Sequence, residues 1–198
     1  MKTASMAILV LLSATSALAQ DGVTLGNPAY GGTGCPAGSA STTLSPDASS
    51  LSVLYDSFVA EAGGTTGRTI TRKNCSLAIP VHVPSGFSVS LIHVDYRGFN
   101  AVPSGGRATF NTETFFAGSQ SPRQTEVFSG PQNSDYLVSN DSILAGNIWS
   151  PCGQDVILRT NTSITTQTNQ LREQTMSSLD SADIAAGVVY ELEWKACF

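Results

Sequence analysis

Over most of its length the chain alternates apolar and polar residues with period two, and almost nowhere with the period of a helix. From Cys75 to Val83 the odd positions (Cys75, Leu77, Ile79, Val81, Val83) are apolar, while Ser76, Ala78, Pro80 and His82 share the other face. That is the mark of a half-buried strand. Pro80 cannot donate to a ladder, so this strand is expected at an edge or at a bulge. In the next run, Phe87 to Tyr96, the apolar phase changes. Phe87, Val89 and Leu91 share one face, and Ile92, Val94 and Tyr96 the other. Either a β-bulge or burial on both faces produces such a switch. Arg107–Phe116 places Ala108, Phe110, Thr112, Thr114 and Phe116 together, and Val156–Thr166 does the same for Val156, Leu158, Thr160, Thr162 and Ile164. Val188, Tyr190, Leu192 and Trp194 form the core face of a final strand, opposite Glu191, Glu193 and Lys195.

Shorter strands are expected over Ser39–Leu44, Leu51–Ala60, Thr125–Ser129 and Tyr136–Ser139. Gly22–Gly34 reads as an irregular lead-in. Gln167–Met176 reads as a helical turn or a loop, and Ser181–Ile184 as another short one. Turn clusters at Glu61–Gly64, Pro84–Gly86, Pro103–Gly106 and Gly130–Asn133 separate the strands. Strands so punctuated predict an all-β fold: an antiparallel β-sandwich, jelly-roll-like or Greek key.

The first nineteen residues stand apart. Lys2, the apolar run Met6–Leu12 and the small-x-small triplet Ala17-Leu18-Ala19 have the layout of a secretory signal peptide. The run is short of the roughly 20 apolar residues that cross a bilayer. Residues 1–19 are therefore expected to be a cleaved leader and 20–198 a single β-sandwich domain, secreted and extracellular. Composition agrees, with only 13% charged residues and a formal net charge of −5, one unit more acidic once Lys2 is lost. Such a chain lacks the basic footprint of a nucleic-acid binder, and anionic membranes would repel it.

Four cysteines, Cys35, Cys75, Cys152 and Cys197, lie beyond the leader. An even count in a secreted chain predicts two disulfides, with three possible pairings. Cys35 and Cys152 both sit in turn-like settings, Gly34-Cys35-Pro36 and Pro151-Cys152-Gly153, while Cys75 and Cys197 lie in or beside apolar strands. The preferred pairing is accordingly Cys35–Cys152 with Cys75–Cys197. There is no Cys-x-x-Cys pair and no zinc-ligand spacing. Asn74, Asn140 and Asn161 each open an Asn-x-Ser/Thr acceptor motif and are expected to be exposed for glycosylation.

Six ordered blocks carry a resemblance that spans nearly the whole chain after the leader: Gly34–Ser39, Arg72–Cys75, His82–Phe87, Asp95–Phe99, Trp149–Gly153 and Glu193–Cys197. On these the chain resembles the secreted domain-of-unknown-function family 4360. The resemblance implies a small, cysteine-containing secreted protein from a fungus or bacterium, more specifically a fungus. It carries over no site residues.

The chemistry-bearing residues are few. His82 and His93 are the only histidines. His93 and Asp95, two apart on a strand, can share a face, as a Ser-His-Asp hydrolase would need, but no Gly-x-Ser-x-Gly elbow accompanies them. A His82–His93–Asp95 metal site would need a hairpin through Pro84–Gly86. Glu61, Asp95, Glu113, Asp155, Glu191 and Glu193 are the carboxylates from which a glycosidase pair would come. No metal or cofactor is called for by any of these. The segment Asp95–Asn100 is the most suggestive. It is expected to run off a strand into a loop, where Tyr96 and Phe99 would stack on a sugar ring and Arg97 and Asn100 would bond its hydroxyls or a carboxylate. The plain alternative is that the aromatics cap the core and Arg97 pairs with Asp95. The expected function is a secreted, non-catalytic binding protein whose partner is a glycan, a cell-wall polymer or a host protein; a hydrolase with an unrecognised site is the alternative.

Overall fold

The computed structural model describes residues 22–120, 122–140, 149–179 and 187–197. Residues 1–19, expected from sequence to be a leader, and Ser181–Ile184 lie outside them. The described residues hold thirteen strands: β1 (Thr24–Leu25), β2 (Ala29–Gly31), β3 (Ala40–Leu44), β4 (Ser50–Tyr55), β5 (Val59–Ala62), β6 (Ile70–His82), β7 (Phe87–Val102), β8 (Arg107–Phe116), β9 (Gln124–Ser129), β10 (Gln132–Asn140), β11 (Val156–Gln167), β12 (Thr175–Leu179) and β13 (Val188–Ala196). One 3-10 turn, Gly64–Thr66, is the only helical element among them. All pairings between strands are antiparallel, and they make two sheets. The first sheet runs β1–β6–β11–β8–β9, with β2 beside β1 along the same strand. The second runs β3–β4–β13–β7–β12–β5, with β10 on the far side of β7. The fold is all-β, an antiparallel sandwich stapled by two disulfides.

The alternating residues become the filling between the sheets. Leu77, Ile79 and Val81 of β6 and Phe110, Leu158 and Ile164 of the same sheet face Val53, Val89, Val94, Leu179 and Val188 of the other, all at 3% exposure or less. Three tyrosines are fully or almost fully buried there as well. The phase switch in β7 is a bulge. His93 pairs with Glu191 and Leu91 with Leu192, so Ile92 has no partner across the strand. One extra residue turns Val94 and Tyr96 onto the face that Val89 and Leu91 already occupy.

Pro80 also finds its reason. Its carbonyl accepts from the Gly26 amide at 2.9 Å. A residue's amide and carbonyl point to the same side of a strand, so the missing N–H faces the gap between β1 and β2.

Four expectations are corrected. The lead-in contains β1 and β2. The run expected from Leu51 to Ala60 is two strands, broken at Asp56–Phe58. The inward–outward alternation of β7 runs over His93–Val102, through Arg97–Asn100 without a loop. The segment expected as a turn ends in β12, whose buried alternate positions are Thr175 and Ser177 as well as Leu179. Hydroxyl-bearing residues inside hid that strand from a hydrophobic pattern.

The disulfides are Cys35–Cys75 and Cys152–Cys197, with Cα–Cα distances of 5.4 and 6.0 Å, in place of the preferred pairing. Tyr30 and Gly31 pair with Leu77 and Ser76, and the Gly34 amide bonds to the Asn74 carbonyl, which carries Cys35 along β6 to Cys75. Gly153 and Cys197 donate to the carbonyls of Phe87 and Gly86, so Cys152 and Cys197 meet at the start of β7. Similar turn settings said nothing about which strand each turn lies against. Each bridge closes a loop of about forty residues and removes about 4 kcal/mol of unfolded-chain entropy in the loop-closure account.

Candidate functional site

The outer face of the first sheet is hollowed across β6, β11 and β8, with Arg123 reaching in from just before β9. Strand register sets the order of its side chains. Asn74, Ser163, Asn111 and Thr125 form one row across β6, β11, β8 and β9; Ser76, Asn161 and Glu113 form the next. Arg72 and Arg123 close the two sides. The groove encloses about 410 Å³ of empty space open to solvent, and Ser163, only 5% exposed, lies at its floor. Of this space, about 130 Å³ is room that water-sized occupants can fill, less than a drug-sized cavity offers, so the site is a surface cleft rather than a deep pocket.

The groove's side chains are held in place. Thr33 Oγ1 donates to Asn74 Oδ1 at 3.0 Å, and Thr125 Oγ1 to Asn111 Oδ1 at 2.8 Å. Both amides therefore offer their NH2 groups as donors. Arg72 Nη2 donates to Ser163 Oγ at 3.3 Å, and Arg123 Nε to Glu113 Oε1 at 2.9 Å. Sequence reading missed this site because its members are ordinary outward-facing strand residues up to ninety positions apart. The signal was present only as a run of amides and hydroxyls on the polar faces of β6, β8 and β11. A shallower hollow at Val102, Pro103, Pro131 and Gln174 carries no charged side chain.

The four residues proposed from sequence lie on β7, and alternation divides them. Tyr96 and Asn100 are buried at 0% exposure, on the inner face. Arg97 and Phe99 are half-buried on the outer face of the second sheet. Tyr96 cannot stack on a ligand from where it sits. Its hydroxyl accepts from Thr112 Oγ1 at 2.7 Å and lies 2.7 Å from Thr114 Oγ1, while Tyr190 donates to Thr160 Oγ1 at 2.8 Å. Phenols of one sheet thus meet threonines of the other. Burial pushes the Tyr96 phenol up to about 12, with the threonine bonds working against it.

Beside Arg97, Asp95 gathers a small polar cluster. His93 Nε2 is 2.8 Å from Asp95 Oδ1, Ser139 Oγ donates to the same oxygen at 2.6 Å, and Arg97 Nη2 is 3.5 Å from Oδ2. Burial acts to raise this carboxyl, but the Ser139 and His93 hydrogen bonds, with the His93 and Arg97 charges, hold it below the usual carboxylate value. The shared face of His93 and Asp95 is as the spacing suggests. The order of these contacts differs from that of a hydrolytic triad. There the imidazole stands between hydroxyl and carboxylate; here the carboxylate stands between the other two.

His82 closes the first sheet, 2.7 Å from Asp155, and His93 belongs to the second. The Pro84–Gly86 turn crosses between sheets instead of forming a hairpin, so the sequence-level metal site does not assemble. No group of three His, Cys, Asp or Glu among the described residues is placed to hold a metal ion. Of the acceptor asparagines, Asn74 and Asn161 are exposed and line the groove, whereas Asn140 is 2% exposed, against expectation.

Comparison with known proteins places the chain. An uncharacterized secreted protein of Arthroderma benhamiae is 30% identical over 169 residues, covering 85% of this chain and 69% of its own length. Like that relative, the protein is secreted. A solved structure of TmCBM61 in complex with beta-1,4-galactotriose aligns with 86% of this chain and 88% of its own, at a TM-score of 0.31 and 8% identity. Likeness at that level says nothing of a ligand here. The family model for the domain of unknown function DUF4360 matches residues 21–197, and the chain belongs to that family.

Proposed function

We propose that this secreted protein is a non-catalytic carbohydrate binder and that the groove on the first sheet is its binding site. The observation that carries the reading is the composition and order of the groove. Rows of amides and hydroxyls, fixed by neighbours, offer donors and acceptors at strand spacing, which is the chemistry that polyhydroxylated chains need. The groove's one carboxylate, Glu113, is tied to Arg123. A glycosidase needs a second carboxyl across the scissile bond, and no lining residue supplies it.

A specific observation favours a second surface. Phe99 and Arg97 remain half-exposed on the other sheet, with Leu137, at 58% exposure, directly across from Arg97. An aromatic face with a guanidinium beside it also suits a sugar ring.

A glycan array and a cell-wall pull-down test both surfaces. They use wild type, an Asn111→Ala/Asn161→Ala double variant and an Arg97→Ala/Phe99→Ala double variant, each made in a bacterial periplasm so that no N-glycan fills the groove. Binding lost in the first double variant and kept in the second supports the groove. The reverse moves the site to the second sheet. Absence of glycan binding, or turnover of a polysaccharide lost in His93→Ala, overturns the proposal.

A further inference from the structure

The sandwich sorts its charges between its two outer faces. In the first sheet, Arg72, Arg107 and Arg159 occupy outward strand positions, Arg123 reaches in from just before β9, and Glu113 is the one outward carboxylate on a strand. In the second sheet the balance reverses. Glu61, Asp95, Asp135, Glu191 and Glu193 point outward, against Arg97 and Lys195. A chain with ten basic and fifteen acidic residues therefore carries a basic face. Arg123 is engaged by Glu113, and Asp155 at the rim by His82. Arg72, Arg107 and Arg159 have no carboxylate partner among the described residues.

Distance makes this local balance, and not the net charge, the relevant one. Two packed sheets are about 10 Å apart before outward side chains are added, and screening in physiological salt acts over about 8 Å. A ligand in the groove meets Arg72 and Arg123, which line it, at contact range, and the acidic face only through screened distance.

We infer that the groove takes an acidic polysaccharide, one whose sugars carry carboxylates. This rests on the proposed function and names its ligand class. Sugar hydroxyls match the amide and hydroxyl rows, and a planar carboxylate matches the fork of Arg72, whose present partner is only the Ser163 hydroxyl at 3.3 Å.

The test is calorimetry or fluorescence anisotropy of the glycan-free secreted chain with a galacturonate oligomer, a neutral glucose oligomer of equal length and single-stranded DNA. The galacturonate oligomer is expected to bind at least tenfold more tightly than the other two, and more weakly as salt rises. Arg72→Ala should reduce that affinity about tenfold or more, Arg72→Lys by less, and the exposed-loop control Arg172→Ala not at all. Binding of the neutral oligomer as tightly as the acidic one, unchanged in Arg72→Ala, overturns the inference and leaves the carbohydrate reading standing. Equal binding of DNA also overturns it, reducing the face to a nonspecific anion surface. If neither oligosaccharide binds, the carbohydrate reading itself has failed.

Discussion

Tyr136 lies across Gly98, its partner on the neighbouring strand, and its hydroxyl donates to the Ser178 carbonyl at 2.7 Å on the far side. The glycine leaves room for the ring. A Cβ at position 98 would stand 2.0 Å from the Ser178 oxygen and 2.5 Å from the Tyr136 hydroxyl. Aromatic cover of a strand glycine is a recurrent way to keep a ladder intact where a side chain is missing. Gly98→Ala is therefore expected to destabilise the fold by about 3 kcal/mol, the upper end of overpacking costs. Chemical denaturation measures it, and a loss under about 0.5 kcal/mol would contradict the packing described.

The inter-sheet tyrosine network gives a prediction that separates structure from binding. Tyr96→Phe removes the acceptor of the Thr112 hydroxyl inside the core. An unsatisfied buried hydroxyl costs about 1–3 kcal/mol. The variant should unfold at lower denaturant concentration while binding any glycan as wild type does. Weakened binding at unchanged stability would return Tyr96 to the ligand site.

Asp95 sets an acid dependence. Its carboxyl titrates lower in the folded protein than the usual value of about 3.9 for a free aspartate. The stabilisation it gives is thus fully present above about pH 4, and is lost as pH falls through the lower folded value. Asp95→Asn should flatten the fall in stability below about pH 4 that wild type shows. Parallel acid unfolding curves for the two proteins would exclude this role.

Glycan mapping by mass spectrometry of protein secreted from a glycosylating host should find Asn140 unmodified, because its side chain is closed off in the fold. Asn74 and Asn161, diagonal neighbours on β6 and β11, are the acceptors that can be modified without unpacking the core. A glycan on either one would occupy the groove and should weaken ligand binding. Full occupancy at Asn140 would be incompatible with the structure.

Peptide mapping without reduction should recover Cys35 joined to Cys75 and Cys152 joined to Cys197. Replacing either pair by serine is expected to cost about 2–5 kcal/mol. Recovery of a Cys35–Cys152 peptide would instead restore the pairing that turn context favours.

Much of the fold can be read from alternation. β6, β8, β11 and β13 were each legible from four or five apolar or threonine residues on one side, and the change of phase near Ile92 left a bulge or two-sided burial open, which the strand register resolves as a bulge. β12 was not, because two of its three buried residues are Thr175 and Ser177. The binding segment misled for a related reason. Arg97, Gly98 and Asn100 look like loop residues, yet Gly98 makes room for Tyr136 and Asn100 faces inward.

Where an apolar alternation runs unbroken, residue order alone settles which side of its strand a residue occupies, since side chains alternate and apolar ones seek the interior. It puts Arg159, Glu191 and Glu193 outside with no knowledge of their neighbours. It does not say which sheet a strand joins. That depends on backbone hydrogen bonds between segments as distant as β6 and β11 or β4 and β13. Those bonds gather Arg72, Arg107 and Arg159 onto one face, most of the outward strand carboxylates onto the other, and bring each cysteine to its partner.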